Sequence, residues 1–177
     1  MTARDEEKRI VAEAEAFLKA YGIYDTLQEF LDSEEAKKLL ENVYTEQIES
    51  VSKLKQNAPE NLKERAEVYY KAITQENSKE MFFKDAKWNM MLRLWAEFSQ
   101  LSNVALAAMK ESGALKKVID SRKKTFYGQL SDIAYGMKKK HLDKFLEIMY
   151  HDFLPKGMPQ EVANFMKMIG GGNAQSQ

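Results

Sequence analysis

MFFKDAKWNMMLRLWAEF, Met81 to Phe98, carries both tryptophans of the chain, three of its ten methionines and three of its nine phenylalanines. It is a helix enclosed by its own chain, the lining of an apolar pocket, or a face meant for another protein. That choice decides how everything else folds around it. Read at helical spacing, Met81, Trp88, Trp95, Ser102 and Met109 fall seven apart, and Met91, Phe98 and Ala105 form a second row beside them. Rows of this period make a seam that packs against another helix. Phe83, Met90, Leu94, Leu101 and Val104 lie outside the seam, so the helix is apolar over more than the ~100° stripe a surface helix needs. The expectation is one long apolar central helix. Phe83, Met90 and Leu94 decide its role: buried within this chain they make the stretch core, and exposed they make it an interface.

Outward from this stretch, 177 residues suffice for one domain with a substantial core. Lysine plus arginine and aspartate plus glutamate balance at 27 each, so no net field draws polyanions and non-specific nucleic-acid binding is disfavoured. With no cysteine, disulfide frameworks, thiolate metal sites and cysteine nucleophiles are excluded. The opening MTARDEEKRI is charged and unlike a secretory signal. The longest apolar run, VALAAM at Val104 to Met109, falls far short of the ~18 residues that suggest a membrane span. The expectation is a soluble, cytoplasmic protein with no transmembrane segment.

Three prolines and eight glycines interrupt a sequence rich in Glu, Lys, Leu, Ala and Met, which is helical composition. The fold class expected is all-α, a bundle of about six or seven helices, with residues 1–169 as a single helical domain and 170–177, GGGNAQSQ, as a flexible tail. A first helix runs from about Ala3 to Tyr21 with Gly22 as its left-handed cap, and a short second one takes Asp25 as N-cap. Ser33 caps a third with an apolar stripe at Ala36, Leu39, Leu40, Val43, Tyr44, Ile48, Val51 and Leu54. Pro59 opens a fourth with Leu62, Ala66, Tyr69 and Ile73. Asn77 or Ser78 caps a long fifth to Ser112, stopped by Gly113. A sixth begins near Ala114, buries Leu115, Val118, Ile119, Phe126, Leu130, Ile133 and Met137, and contains Gly128 and Gly136 as marks of close packing or a kink. A last short helix spans Gln160 to Ile169.

Chemistry is sparse. The two histidines, His141 and His151, sit ten residues apart on one helix and point about 80° away from each other, so they do not share a metal. Asp143, Glu147 and His151 form a polar stripe that a solvated face explains. Carboxylate pairs such as Glu34 and Glu35 lie on solvated faces without the concave apolar setting that separates two pKa values. There is no nucleophile elbow and no phosphate-cradling glycine loop. The basic runs Arg122 to Lys124 and Lys138 to His141 read first as solvated helix faces. No catalytic residue, metal ligand or cofactor is expected.

F-K-D-A-K-W, then L-R-L-W-A-E-F-S-Q-L-S-N, then R-K-K-T-F-Y-G-Q-L-S-D-I-A resemble the helical N-terminal region of polyhydroxyalkanoate synthases, through Phe83, Asp85, Trp88, Trp95, Arg122, Phe126 and Gln129. M-P-Q-E-V-A-N-F, Met158 to Phe165, is similar to the turn that opens the last helix in the small accessory subunits of two-component synthases. The resemblance implies a non-catalytic subunit that binds and activates a catalytic synthase chain, an α/β-hydrolase with a Cys nucleophile, in polyester biosynthesis. It also admits the polymer granule surface as a second contact. The partner-binding residues it implies, together with the apolar excess of the fifth helix, are Phe83, Trp88, Met90, Met91, Leu94, Trp95, Phe98, Pro159, Val162 and Phe165. Two other readings stay open: a helical domain that binds an apolar ligand, and a granule-coat or scaffold protein.

Overall fold

The computed structural model describes residues 2–150. The short helix expected at Gln160 to Ile169, the tail at 170–177, His151 and the candidate residues Pro159, Val162 and Phe165 lie outside the described residues. Among those described there are seven α-helices, one 3-10 turn and no strand: α1 (Ala3–Ala20), α2 (Tyr24–Leu31), α3 (Glu34–Gln56), the turn at Glu60–Leu62, α4 (Lys63–Ile73), α5 (Glu76–Phe98), α6 (Asn103–Ser112) and α7 (Ala114–Tyr150). The all-α bundle expected from composition is the fold observed.

Local chemistry sets the boundaries. Thr2 closes a capping box with Asp5 at the start of α1, and Gly22 follows its end at φ +75°, a left-handed conformation costly for side chains. Ser33 does two jobs: its hydroxyl donates to the Phe30 carbonyl at the end of α2 and accepts from the Ala36 amide at the start of α3. Asp25 is not the cap of α2. Ile23 is already helical at φ −86°, ψ −32°, so the helix starts earlier and Asp25 sits in its first turn, where its charge suits the positive end of the helix. Likewise α5 starts from an extended Gln75, ahead of Asn77 and Ser78.

The long fifth helix does not exist as one piece. α5 ends at Phe98, and Ser102 accepts from the Ala105 amide to start α6, a capping preference strong enough to restart the chain. Gly113, at φ +80°, ends α6 as expected. Nor is α5 apolar all round: Lys84, Asn89, Arg93 and Ala96 are exposed. The helix that α2, α3, α4, α5 and α6 all pack against is α7.

Two apolar cores result. The larger joins α1, α2, the first half of α3, α5, α6 and the first half of α7, around Leu18, Leu27, Val43, Met90, Leu94, Phe126 and Leu130. The smaller joins the end of α3, the 3-10 turn, α4 and the end of α7, around Leu54, Leu62, Ala66, Phe145 and Met149. Tyr44 donates from its hydroxyl to the Ile73 carbonyl, and Arg65 donates to the Met149 carbonyl, so both ends of α4 are tied down. Gly128 and Gly136 have nothing within 4 Å of where a side chain would begin. They do not mark close packing.

Candidate partner-binding surface

The three deciding residues divide. Met90 and Leu94 are fully buried, at 0 % exposure, and Phe83 is half-buried. The buried residues of α5 are Phe82, Ala86, Met90, Leu94 and Phe98, with Met91 beside them. This is a spacing of four, which drifts around the helix by about 160° between Phe82 and Phe98. A stripe that winds this far looks apolar on every side when the sequence is read as a straight wheel. The seven-residue row is the outer edge instead: Met81 is 39 % exposed, Trp88 and Trp95 are half-buried, and Ser102 is exposed beyond the helix break.

Met90, Leu94 and Phe98 therefore belong to the interior of this chain and offer no surface to another in this conformation, and Met91, buried as well, shows only its edge in the groove beside them. Of the candidate positions on α5, Phe83, Trp88 and Trp95 remain part-open. Phe83, Trp88 and Met91 line a groove of about 520 Å³ between α5, α1 and α2, with Tyr24 opposite and Glu15, Gln28, Lys79, Glu80, Lys84 and Lys87 at its rim. Two cations lie over the Trp88 ring, the Arg4 guanidinium at 4.8 Å and the Lys84 ammonium at 4.9 Å. Such contacts contribute about 0.5–1 kcal/mol at exposed sites and hold the indole in one orientation. Lys79 pairs with Glu41 and so ties this end of α5 to α3. Burial, and then the neighbouring Glu15, raise the Tyr24 pKa above the ordinary phenol value, so its hydroxyl stays protonated at the groove wall.

The other resemblance residues sit on α5 and α7, brought side by side. Glu97 and Arg122 form an ion pair across the two helices, and Phe126 is buried against Phe30 with ring centres 5.6 Å apart. Asp85 and Gln129 carry the buried side-chain oxygens that lack a hydrogen bond among the described residues, Asp85 Oδ1 and Gln129 Oε1. Arg4 comes within 3.5 Å of Asp85 Oδ1, close enough for charge attraction but without hydrogen-bond geometry.

A feature the sequence reading missed lies where the two cores meet. Gln47 is the buried polar residue of the described core, at 3 % exposure, and its Oε1 lies 3.0 Å from His141 Nδ1. Facing an amide oxygen, Nδ1 has to carry the proton. Phe82 stands edge-on to the imidazole at 6.1 Å. Burial lowers the His141 pKa below its ordinary value, Asp85 opposes this, and Lys144 and Lys140 reinforce it. The signal was available: Gln47 is a polar residue on the apolar stripe of α3.

Among the described residues no group of three or more His, Asp or Glu is placed to hold a metal ion, and no helix is long and apolar enough to cross a membrane. No family model, no curated protein and no solved structure matches this chain.

Proposed function

We propose that this chain is a helical accessory subunit that acts by docking on another protein, with a polyhydroxyalkanoate synthase catalytic chain as the partner. The observation that carries the reading is the part-open edge of α5, where Phe83 and Trp88 face a groove rimmed by charge. An aromatic anchor in a groove with a polar rim has the anatomy of a protein contact. The resemblance that names the partner runs through the same residues, Phe83 and Trp88, and continues to Trp95 on the same helix. The subunit favours whichever state of the synthase it binds more tightly and shifts the population towards it, which raises polymer formation without chemistry of its own.

Co-expression with a cysteine-nucleophile synthase chain tests this. The two chains are expected to co-purify, and polymer yield is expected to fall when this chain is omitted. Phe83→Ala with Trp88→Ala weakens co-purification at least tenfold, while circular dichroism keeps the helical signal. Lys84→Glu, at the exposed rim, gives a milder loss with the core untouched. Independent migration of the two chains, with polymer yield unaffected by omission, overturns the proposal. An apolar small-molecule site is the second reading, since the groove volume suits a ligand. It predicts a co-purified small molecule in native mass spectrometry that the double variant loses.

A further inference from the structure

The formal neutrality of the chain conceals a separation of charge. Residues 1–62 hold fourteen acidic residues against eight basic ones, whereas α7 alone holds nine lysines and arginines against four acids. Along the first two-thirds of α7, Leu115, Ile119, Phe126, Leu130 and Ile133 face the core. The opposite side, from Lys116 to Lys139, carries Lys116, Lys117, Lys124, Tyr127, Tyr135 and Lys139 within about 140° of arc and about 35 Å of length. All six are exposed, the two tyrosines at 48 % and 43 %.

The acids on and beside this stripe are already engaged, Asp120 lying within its arc at ~100° per residue. Asp120 pairs with Lys123 at 3.6 Å, and Glu46 of α3 pairs with Lys138 at 3.4 Å. Lys116, Lys117, Lys124 and Lys139 have no carboxylate partner within 4.0 Å among the described residues. Asp132 and Asp143 are exposed but project beyond one edge of the stripe at ~100° per residue.

We propose that this lysine and tyrosine face of α7 adsorbs to an anionic lipid bilayer. Two features favour lipid over nucleic acid. The stripe is a convex rod with no groove to follow a phosphodiester strand, as single-strand binders have. It also contains no arginine, since Arg122 lies outside its arc and is paired with Glu97; lysines act as point charges, without the planar fork that reads phosphates and bases. A row of lysines along one helix matches a flat field of anionic headgroups, where each contributes by proximity alone. Tyrosines between them suit the headgroup level, apolar at the ring and polar at the tip. The surface shares no residue with the groove on α5, so it stands or falls separately.

Vesicle co-sedimentation of the full chain tests the assignment, with phosphatidylcholine vesicles that contain or lack phosphatidylglycerol. The protein is expected to pellet with the anionic vesicles at low salt, to stay in solution with the neutral ones, and to be released by high salt. Lys117→Glu, Lys124→Glu and Lys139→Glu together lower the partition coefficient by about two orders of magnitude or more. The charge-matched control Lys37→Glu, Lys38→Glu and Lys53→Glu, on exposed positions of α3, changes it several-fold less. Absence of binding to anionic vesicles, or equal loss in both triple variants, overturns the proposal. So does capture of a single-stranded oligonucleotide in place of the vesicles, or self-association that the α7 variant abolishes.

Discussion

The two cores share two helices but are entered by them in different ways. α3 presents one face throughout: Ala36, Leu39, Leu40, Val43, Tyr44, Gln47, Val51 and Leu54 lie within about 140° of arc, and the same stripe serves the larger core first and the smaller one after. α7 changes face. Its buried set Leu115, Ile119, Phe126, Leu130 and Ile133 gives way to Leu142, Phe145, Leu146 and Met149, turned by roughly 140° around the helix. The handover on both helices falls at one level, at Gln47 between Tyr44 and Val51 and at His141 between Ala134 and Leu142. A hydrogen-bonded polar pair thus stands where apolar packing is interrupted. A bundle joined this way has a unit able to open by itself, as sub-global opening does in other proteins.

Truncation of one buried phenylalanine in each core tests this most directly. Phe126 and Phe145 are both fully buried, and each alanine substitution is expected to cost about 3–5 kcal/mol. The distribution differs. Phe126→Ala lowers hydrogen-exchange protection in every helix, because the larger core holds most of the buried side chains. Phe145→Ala exposes α4 and the end of α7 first and leaves α1, α2 and α5 protected. Uniform loss of protection in both variants breaks the two-core picture.

The polar joint comes next in size. Gln47→Ala leaves the Nδ1 proton of the half-buried His141 without its acceptor, a loss towards the lower end of the about 1–3 kcal/mol of a buried unsatisfied group. Replacing both partners, Gln47→Leu with His141→Leu, removes the orphan and extends apolar packing across the joint. The double variant is expected to be much closer to the parent than Gln47→Ala in urea unfolding, with α4 more protected. A double variant as unstable as the single one shows that the joint depends on shape and not on the hydrogen bond.

The pH dependence follows from the same residue. His141 meets Gln47 from α3, Phe82 and Asp85 from α5, and Lys140 and Lys144 on its own helix. Burial leads in lowering its pKa and outweighs Asp85, so the unfolded chain binds a proton more readily than the folded one. Stability from this group is complete above the unfolded value of about 6.5 and is lost as pH falls through the folded value. Melting curves should therefore show a decline on acidification that His141→Asn flattens. Carboxylate titration lies lower and leaves the difference between parent and variant readable.

These features were legible in the sequence to different degrees, for physical reasons. The stripe of α3 was read nearly whole, because one face stays buried from end to end; Ile48 alone is only half-covered. On α7, Val118 and Met137 were expected inside, yet Val118 is 36 % exposed and Met137 is half-covered. A helix that changes face defeats a single wheel. α5 failed in a related way, since its winding stripe hid Phe82 as a core residue and made Trp88 and Trp95 look central. Ser102 was misread as part of a seam although its residue type and position are those of a cap. For the candidate surface, Phe83, Trp88 and Trp95 were legible from the apolar excess and spacing of the helix and from the resemblance, and the groove that gives two of them a setting needed the placement of α1 and α2.

The smallest expected effect addresses how α7 turns its buried face. Gly136 lies between Ile133, the last large side chain of α7 buried in the first core, and Leu142, the first buried in the second. Gly128 lies well inside the first stretch. Both are exposed helical positions with nothing within 4 Å of a new Cβ, so alanine at either should stabilise by about 0.5–1 kcal/mol through helix propensity alone. Equal gains from Gly128→Ala and Gly136→Ala mean that the change of face comes from which side chains are apolar, with the backbone indifferent to it. A gain at Gly128 with none at Gly136, measured by urea midpoints at constant slope, would mean that the backbone itself yields at the handover. The joint between the cores would then owe its compliance to a glycine as well as to Gln47 and His141.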